Sequence, residues 1–573
     1  MKTKNAVALI LIVFLMLACA LIALVAFSLL TTGTSNSVGF SQSVQAMGLA
    51  IAGKQWYLEQ LANDTDWTDQ TDELGKSLGS GTFDIIINNA SGNTVIFTSI
   101  GKVPGFLNQT VQRQEKITAG KLPKIARFAV LWQKDGPALG GLTFGNGGGG
   151  THVIGNVWSV GSARIGSNSD VSNGIVYYLE GESIAGGGSY IAQEVPLPDP
   201  YPSMPVIDTS GYDALITDWN ARIDDADSNL PRNFPQIPVF DRDVDWTNQT
   251  IDARSIDTNG FNITGTNFTV NCRSFRMRNG DGGTSDINAS NFTINCSDDF
   301  VMEGGSRIIS SNYRINGSKN FLMRGNTSIA SNNFELYLDD NFDTNGNNVN
   351  VSGYGYIVCS NNGRILLHHE NSDSGKFTVT PSSGDIFFLS GDSMEVNSNR
   401  FDTDVEMKPG CFLYSRNPSG NRDELVVRSS NTTIDGATLI AERRLIVQNG
   451  AKVTNSELYV ATASTNQNND LQITGMYTNV SGLVISRGRR HPSLIINNSA
   501  SVTGLVYQYG TATRGRAQVA GGSTITGGLW VCQFHNTTFG PATVTYGLSD
   551  ILAALPEGFG AFASQEPYTW DDH

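Results

Sequence analysis

The chain has 573 residues, a net charge of -15, 62 glycines and only 16% charged residues. Such a composition is typical of many short strands joined by turns, so we expect a mainly β protein. No run is rich in Lys and Arg and no aromatic-basic platform occurs, which argues against nucleic acid as a partner. None of the six cysteines forms a CxxC pair. The sequence therefore indicates neither a zinc nor a redox site, and we expect no cofactor.

An uncharged apolar run occupies residues 7–30. As a helix it would be about 36 Å long at ~1.5 Å per residue, enough to cross a ~30 Å hydrocarbon core. The run continues past Ala20, unlike the core of a cleaved signal peptide, and the residues before Cys19 fit a lipobox poorly. Lys2 and Lys4 precede it and Lys54 is the next basic residue, which predicts a cytoplasmic N-terminus. Residues 1–33 are thus expected to be a leader and a single membrane span, with the bulk of the chain outside.

A helical stripe and a small sheet are expected next, over residues 34–127. Apolar residues recur at helical spacing, at Phe40, Val44, Met47, Ile51, Leu58 and Leu61. We expect this stripe to pack on the chain's own sheet or on neighbouring subunits. Three strand-like segments follow, GTFDIIINN, SGNTVIFTSIGK and FLNQTVQRQEKIT, and predict a β meander.

The segments AVALILIVFLMLACALIALVAFSLL and VGFSQSVQAMGLAIAGKQWYLEQL resemble the N-terminal region of PilX-like minor type IV pilins. The resemblance implies a membrane-anchored, pilin-like surface protein with pilin-like subunits as partners, which reaches the cell surface or a pilus if its leader is cleaved between Ala6 and Val7. The chain differs from most pilins in lacking a Glu five residues into the apolar run and in having Ala6 where a Gly is usual. An ordinary signal anchor followed by a stalk helix is the alternative interpretation.

The middle of the chain changes twice in character. Residues 128–195 show short β runs between glycines, with Gly155 and Gly174 opening similar pieces, and are expected to form the first β coils. Residues 196–250 hold the Pro-rich pieces PLPDPYPSMP and LPRNFPQIP around SGYDALITDWNARIDD. Because this segment is rich in aromatic residues, we predict an ordered connector with one short amphipathic helix.

A repeat of 21 to 24 residues follows, opened by asparagines at 267, 291, 312 and 333. That period is typical of a coil with two or three short strands, so residues 251–548 are predicted to form a long right-handed parallel β-helix. Room exists for roughly 13 coils at ~4.8 Å each. Related pieces begin at Gly482, Gly504 and Gly528. Residues 549–573 are expected to be a capping helix and a tail, because a solenoid end exposes strand edges.

Stacked coils give equivalent residues a shared environment. The four repeat-opening asparagines are expected to form either an amide ladder or a row of turn residues. Cys272 and Cys296 share a repeat position and are expected to be inward neighbours, either as free thiols, which we favour, or as a disulfide. Arg278, Glu303 and Arg324 are expected to form an outward column of alternating charge.

Carboxylates in neighbouring coils raise the question of catalysis, because β-helix enzymes use two or three of them as general acid and base. Asp298 and Asp299 are separated from Asp339 and Asp340 by a coil that supplies Lys319 and Asn320. A tight carboxylate cluster is therefore not expected, and we predict that the protein is not an enzyme.

Three acidic or histidine-containing segments contain metal-ligating residue types, and for each a solvated turn or strand end is the favoured interpretation. The segment His368, His369 and Glu370 has no further ligand at useful spacing. Trp246 stands where a calcium loop around Asp241, Asp243, Asp245 and Asp252 would need Gly, and the turn with Asp64, Asp66, Asp69 and Asp72 has the same weakness. We therefore expect no metal site.

Glycosylation sequons occur at several places, among them Asn63, Asn108, Asn248, Asn262, Asn291 and Asn536. The leading functional hypothesis is a cell-envelope, pilin-like protein, a minor pilin or an adhesin, whose β-helix binds a glycan or a surface without catalysis. The alternatives are a membrane-tethered β-helix enzyme acting on polysaccharide and a structural spacer or filament subunit.

Overall fold

The structure is a computed structural model. It describes residues 42, 44–57, 71–79, 81–91, 94–104, 110–120, 128–133, 141–145, 149–195, 209–226, 235, 241–281, 283–367, 375–397, 404–416, 424–461, 471–487, 493–509, 517–532 and 537–554. The chain divides after Pro123 into two compact units. The membrane span predicted over residues 7–30 lies outside the described residues. No helix within the described ranges is long and apolar enough to cross a bilayer.

The first unit is a helix on an antiparallel sheet. Helix α1 comprises residues 44–57, and the strands β1 to β4 are Glu73–Leu78, Gly81–Ser91, Thr94–Pro104 and Thr110–Gly120. They pair in the order β1-β2-β3-β4, all antiparallel. The last three strands are those of the predicted meander, and β1 is a further strand that the sequence pattern did not predict.

Helix α1 contacts the sheet through small residues rather than through the predicted apolar stripe. Ala46, Ala50 and Tyr57 are buried, whereas Val44, Met47 and Ile51 are 55%, 38% and 50% exposed. Gly101 allows this approach, because a Cβ there would lie 1.9 Å from the carbonyl oxygen of Ala46. The expectation that Val44, Met47 and Ile51 pack on the chain's own sheet is therefore wrong. Phe40, Leu58 and Leu61 lie outside the described residues.

The second unit begins with the strands β5 to β13 and helix α2. Their bounds are Phe128–Gln133, Leu142–Phe144, Thr151–Ile154, Asn156–Ser159, Ala163–Ile165, Asp170–Ser172, Val176–Leu179, Ile184–Ala185, Ala192–Val195 and, for α2, Ser210–Asp225. Helix α2 is the amphipathic helix predicted in the connector.

The unit continues with β14 to β40 and helix α3. Strands β14 to β22 are Val244–Asp245, Thr250–Asp257, Ile263–Thr266, Thr269–Met277, Asp286–Ser290, Phe292–Cys296, Phe300–Glu303, Arg307–Ser310 and Tyr313–Cys359. Strands β23 to β31 are Ile365–Leu367, Lys376–Ser390, Met394–Val396, Asp404–Met407, Cys411–Ser415, Leu425–Val427, Thr432–Asp435, Thr438–Ala441 and Leu445–Gln448. Strands β32 to β40 are Lys452–Val460, Leu471–Thr474, Asn479–Ser486, Leu494–Asn497, Ser501–Tyr509, Ala517–Val519, Ser523–Cys532, Thr537–Phe539 and Ala542–Tyr546, and α3 is Leu548–Ala554.

These strands form a parallel β-solenoid of about 14 turns, which confirms the predicted mainly β class and parallel coil. One coil shows the plan: β19, β20 and β21 lie on three successive sides of the rod. The first sheet contains β19 and its equivalents, the second sheet β20 and the third sheet β21. Each strand pairs in parallel with the strand one coil away, as Thr293 does with Arg314.

Stacked inward side chains form the core. Phe268, Phe292 and Tyr313 stack in the first sheet with ring centroids 5.0 Å apart. Phe275, Phe300 and Phe321 stack in the second sheet with centroids 4.8 Å apart. Both spacings equal about one strand separation, so each ring rests on its equivalent in the next coil. Outward residues alternate with these, and together they explain the repeat in the sequence.

The order of the coils in space differs from their order in the chain. The N-terminal strand β5 pairs with β38 through Val130 and Leu529, and β6 and β7 pair with β39 and β40. Residues 128–195 therefore stack on the last C-terminal coil instead of preceding Val244. Helix α2 runs back along the rod, because Tyr212 contacts Tyr459 whereas Arg222 contacts Tyr337.

Helix α3 lies on the side of the rod and does not cap it. It contacts β34, β36 and β38 of the first sheet, and Ile551 is fully buried there. Glycines permit this approach, since a Cβ on Gly504 would meet the Cβ of Ala554 at 3.0 Å. The prediction that this helix caps the last coil is wrong, because the coils after Phe128 cover that end. The late repeat is also shifted by one residue, because Gly504 pairs with Gly527 and not with Gly528.

Candidate ligand groove

An open groove of about 670 Å³ crosses successive coils from Gly265 to Ser382, along the third sheet and the corner that leads to the first sheet. Its floor contains an outward column in which Asn288 pairs with Ile309 and Ile309 pairs with Ala330. Small residues dominate the rest of its lining, among them Thr266, Ser290, Ser311, Ser352 and Ser382. Because these side chains are short, the groove follows the backbone closely. None of the described lining residues is charged, although the chain has a net charge of -15.

The groove presents unused polar groups beside an apolar surface. The side chains of Asn288 and Ser311 are exposed and form no hydrogen bond with the described residues. Ile309 lies between them on the same surface and is 38% exposed. Amide and hydroxyl groups can both donate and accept hydrogen bonds, and an exposed aliphatic side chain offers an apolar contact. This combination suits a neutral ligand that has both hydroxyl groups and C–H faces.

The edge of the groove carries the predicted asparagine ladder. The Nδ2 atoms of Asn312 and Asn333 donate to Asn291 and Asn312 over 3.3 Å and 3.0 Å, and Asn267 donates to Asn248 over 3.4 Å. Asn267 and Asn291 also have positive φ, as do turn residues in the left-handed region. The predicted row is thus a ladder in part: one series joins Asn291, Asn312 and Asn333, and a separate bond joins Asn267 to Asn248 at a turn.

Two further ladders were not predicted. On the first sheet, Asn271, Asn295 and Asn316 link in series over 2.8 Å and 2.9 Å, and Asn271 donates to Asp252. At the next corner, Asn320 donates to Asp299 over 2.7 Å and Asn341 donates to Asn320 over 2.9 Å. The sequence does repeat these residues, as NC at 271–272 and 295–296 and as DD, KN and DN at 298–299, 319–320 and 340–341. Recognising them as ladders required knowing which residues of adjacent coils pair.

The predicted charge column pairs differently from the expectation. Glu303 binds Arg276 over 2.6 Å and Arg324 over 3.5 Å, whereas Arg278 pairs with Asp257 over 2.9 Å. The expected succession from Arg278 to Glu303 is therefore wrong, because Arg278 turns towards the preceding coil. These ion pairs are largely exposed, and pairs of this kind contribute only ~0–1 kcal/mol each.

The candidate catalytic carboxylates are engaged in structural contacts. Asp298 binds Arg273 over 2.6 Å and Asp299 accepts a hydrogen bond from Asn320. Burial raises the pKa of Asp340, although the positive charges of Lys319 and Arg364 act in the opposite direction. Asp340 therefore has two cations beside it as well as the carboxylate of Asp299, which also raises its pKa. Asp339 contributes a backbone oxygen that accepts a hydrogen bond from Ser360.

The acidic segments that resemble calcium loops do not converge. Asp243 accepts a hydrogen bond from the backbone of Asn262, and Asp252 belongs to the ladder on the first sheet. Asp245 accepts hydrogen bonds from the side chain and backbone of Thr247, which lower its pKa. In the first unit Asp72 accepts from the backbone of Ile87 over 2.7 Å. Asp64, Asp66 and Asp69 lie outside the described residues, as do His368, His369 and Glu370.

No group of three or more His, Cys, Asp or Glu side chains that could hold a metal ion occurs within the described ranges. Cys272 and Cys296 pair across adjacent coils, are buried and are free thiols. The hydrogen bond between them, together with burial, raises the pKa of Cys272. A neutral thiol is a weak nucleophile, so these residues contribute packing.

Among the sequons named above, those at Asn248, Asn262 and Asn291 lie at coil corners. Asn248 and Asn291 accept ladder hydrogen bonds, and Asn262 accepts one from the backbone of Asp286 over 2.9 Å. Asn63, Asn108 and Asn536 lie outside the described residues.

The groove could not be found from the sequence. Its residues are serine, alanine, glycine and asparagine, which in a single sequence are indistinguishable from ordinary turn formers. Only the register of the coils brings Asn288, Ile309 and Ala330 into one column. Comparison with known proteins adds no relative: no family model matches the chain, nor does any curated protein or solved structure.

Proposed function

We propose that this protein is a surface attachment protein that binds a neutral glycan chain along the groove without chemical turnover. The observation that supports the proposal is the uncharged column of Asn288, Ile309 and Ala330 with small hydroxyl side chains on either side. Equivalent residues recur at ~4.8 Å along the rod, a distance comparable to the length of one pyranose unit. A polymeric ligand along the rod would therefore meet one coil per sugar, with Asn288, Ile309 and Ala330 in succession.

The proposal is tested by screening the full chain on an array of neutral and acidic glycans, followed by titration calorimetry with the tightest binder. We expect a neutral glycan to bind best, because the groove offers no cation to an acidic sugar. Ile309→Asp should lower its affinity at least tenfold, since a carboxylate would be desolvated under the sugar. The matched control is Ile191→Asp, an equally drastic change at a residue that is 67% exposed and outside the groove.

Unchanged affinity in Ile309→Asp would remove the groove as the binding site. The rival enzymatic hypothesis predicts release of reducing ends from uronic-acid polymers, lost in Asp340→Asn. We expect no such release, because Asp340 lies beside Lys319 and Arg364.

We further propose that the protein is held at the cell envelope by the predicted span over residues 7–30, as a minor pilin or a pilin-like adhesin. The exposed stripe of Val44, Met47 and Ile51 supports the second of the two packing expectations, contact with neighbouring subunits. Mass spectrometry of the mature N-terminus tests this proposal. A chain that starts at an N-methylated Val7 is the expected result, and an intact Met1 favours a plain anchor.

A further inference from the structure

Helix α2 covers a strip of aromatic and acidic side chains on the outside of the first sheet. The rings of Tyr356, Phe387 and Phe412 stack along the rod with centroids 4.4 Å and 4.9 Å apart. Tyr414 and Tyr459 belong to the neighbouring outward column, with Glu442 and Glu457 beside them. We call these seven residues the covered strip. It lies on a different sheet from the floor of the groove.

One large side chain holds the middle of the helix. Trp219 is 1% exposed, and its ring lies 6.1 Å, 6.0 Å and 5.3 Å from those of Phe387, Phe412 and Tyr414. Nearer the N-terminus of the helix, Tyr212 stacks on Tyr459 at 4.8 Å. Trp219 meets Phe387 and Phe412 edge to face, with 64° and 71° between the ring planes, whereas Tyr212 covers the face of Tyr459.

Ile223 of the helix is also fully buried, and Arg222 lies over the ring of Tyr356 at 4.1 Å. Several other attachments are polar and partly exposed. Asp213 binds Arg487 over 3.1 Å and Asp224 binds Arg416 over 2.7 Å, with the Asp side chains about half exposed. Arg222 donates to Tyr337 over 3.2 Å. Exposed ion pairs are screened by water and salt and hold a helix weakly.

The helix also contributes nothing to the backbone of the rod. The strands beneath it pair with the next coils, as Phe387 pairs with Phe412 and Phe412 with Thr438. Pro-rich segments precede and follow α2 in the sequence. The helix can therefore leave the first sheet without breaking a hydrogen bond between strands.

The contacts of α2 indicate which chemistry the strip accepts. The hydroxyl of Tyr212 donates to Glu457 over 2.9 Å, and the amide of Asn220 donates to Glu442 over 2.9 Å while accepting from Tyr414 over 2.8 Å. A flat ring, that of Tyr212, stacks on the face of Tyr459. Hydroxyl donors and acceptors arranged around a flat apolar face are also the features of a sugar ring.

We propose that α2 is a displaceable cover and that the covered strip is a second carbohydrate-binding site, open only when the helix is released. The face of Tyr459 that Tyr212 covers and the ring edges of Phe387 and Phe412 would contact the C–H groups of the sugars, while Glu442 and Glu457 accept hydrogen bonds from hydroxyl groups. The site is independent of the groove, because neither Asn288 nor Ile309 belongs to it.

The test uses the full chain with Trp219→Ala, cellohexaose and chitohexaose as probes, titration calorimetry, and hydrogen exchange of residues 210–225. We expect these amides to lose protection while the solenoid strands keep theirs, and the affinity for at least one probe to rise tenfold or more. Adding Phe412→Ala should abolish the gain, whereas adding Ile309→Asp should leave it. Thr217→Ala is the matched control, because Thr217 bonds only within the helix and is exposed.

A second variant, Asp213→Asn with Asp224→Asn, releases the ends of the helix but keeps Trp219, and it should raise the affinity in the same direction. Loss of protection in residues 210–225 without any gain in affinity would overturn the proposal. So would a gain that survives Phe412→Ala, or a helix that stays protected in both variants.

Discussion

The first sheet has two different outer surfaces on one continuous solenoid. In the coils around Phe292 the outward residues are polar, Thr293 and Asn295, and no described helix lies over them. In the coils around Tyr459 and Trp530 the outward residues are also large and apolar, and α2 and α3 cover them. The parallel pairing of the backbone is the same in both regions. The comparison shows that the outward residues, not the coil itself, decide whether the rod stays bare or acquires a helical cover.

The sequence reflects this difference. Strict alternation, as in NFTVNC and NFTINC, indicates one buried side, whereas near-continuous apolar runs such as GLVYQ and GLWVC indicate a strand that is buried on both. Tyr507 and Trp530 in those runs are 2% and 0% exposed.

The largest expected effect separates the inner from the outer side of a bare coil. Phe292→Ala removes a ring stacked between Phe268 and Tyr313 and should cost about 3–5 kcal/mol of unfolding free energy. Thr293→Ala, its outward neighbour, should cost less than about 0.5 kcal/mol. Urea denaturation of both variants measures the difference, and equal losses would show that the bare coil has no distinct inner side.

A covered coil should instead depend on its helix. Ile551→Ala removes a fully buried contact between α3 and the first sheet, and the loss should be about 2–5 kcal/mol. Hydrogen exchange should rise first in residues 548–554, because the strands keep their partners. If exchange rises equally in residues 292–296, which α3 does not touch, the helix is not a local cover.

The amide ladder on the bare surface should contribute less. Asn295→Ala breaks one hydrogen bond to Asn271 and one from Asn316, with an expected loss of about 1–3 kcal/mol. Asn288→Ala, an exposed asparagine without such bonds to the described residues, should change stability by about 0.5 kcal/mol or less. Urea denaturation measures both variants, and similar denaturation midpoints would mean that the ladder adds no stability.

The smallest effect concerns a surface charge on the third sheet. Hydrogen bonds from Lys376 and Lys408 lower the pKa of Glu406 from 4.5 to about 2. Because the pKa is lower in the folded chain, the ionised Glu406 stabilises the fold at pH values above 4.5, its pKa in the unfolded chain. This contribution disappears as the pH falls towards 2. Glu406→Gln should therefore cost at most about 1 kcal/mol at pH 7. Denaturation midpoints at pH 7 and pH 2 check this, and a gap that persists at pH 2 contradicts the ion-pair origin.

Periodicity predicted the solenoid because stacked coils repeat their inward residues, and Phe292, Cys296 and Phe300 are all buried as the pattern requires. It could not predict that Val130 would pair with Leu529, because such a contact joins two ends of the chain without any repeat between them. The position of α3 was missed as a consequence, because the coils after Phe128 cover the end of the rod that α3 was expected to cap. The apolar stripe of Val44, Met47 and Ile51 predicted the wrong packing face of α1. Glycine and alanine allow a closer approach than larger side chains do, so α1 contacts its sheet through Ala46 and Ala50.

In the unmodified chain, the groove should bind a neutral glycan, and the covered strip should bind none while α2 is in place. Hydrogen exchange of the unmodified chain, with and without the tightest-binding neutral glycan, tests this expectation directly. We predict slower exchange at residues 288–290, 309–311 and 330–332 and no change at residues 411–415. Slower exchange confined to residues 411–415, or unchanged exchange in the groove, would show that the glycan does not bind in the groove.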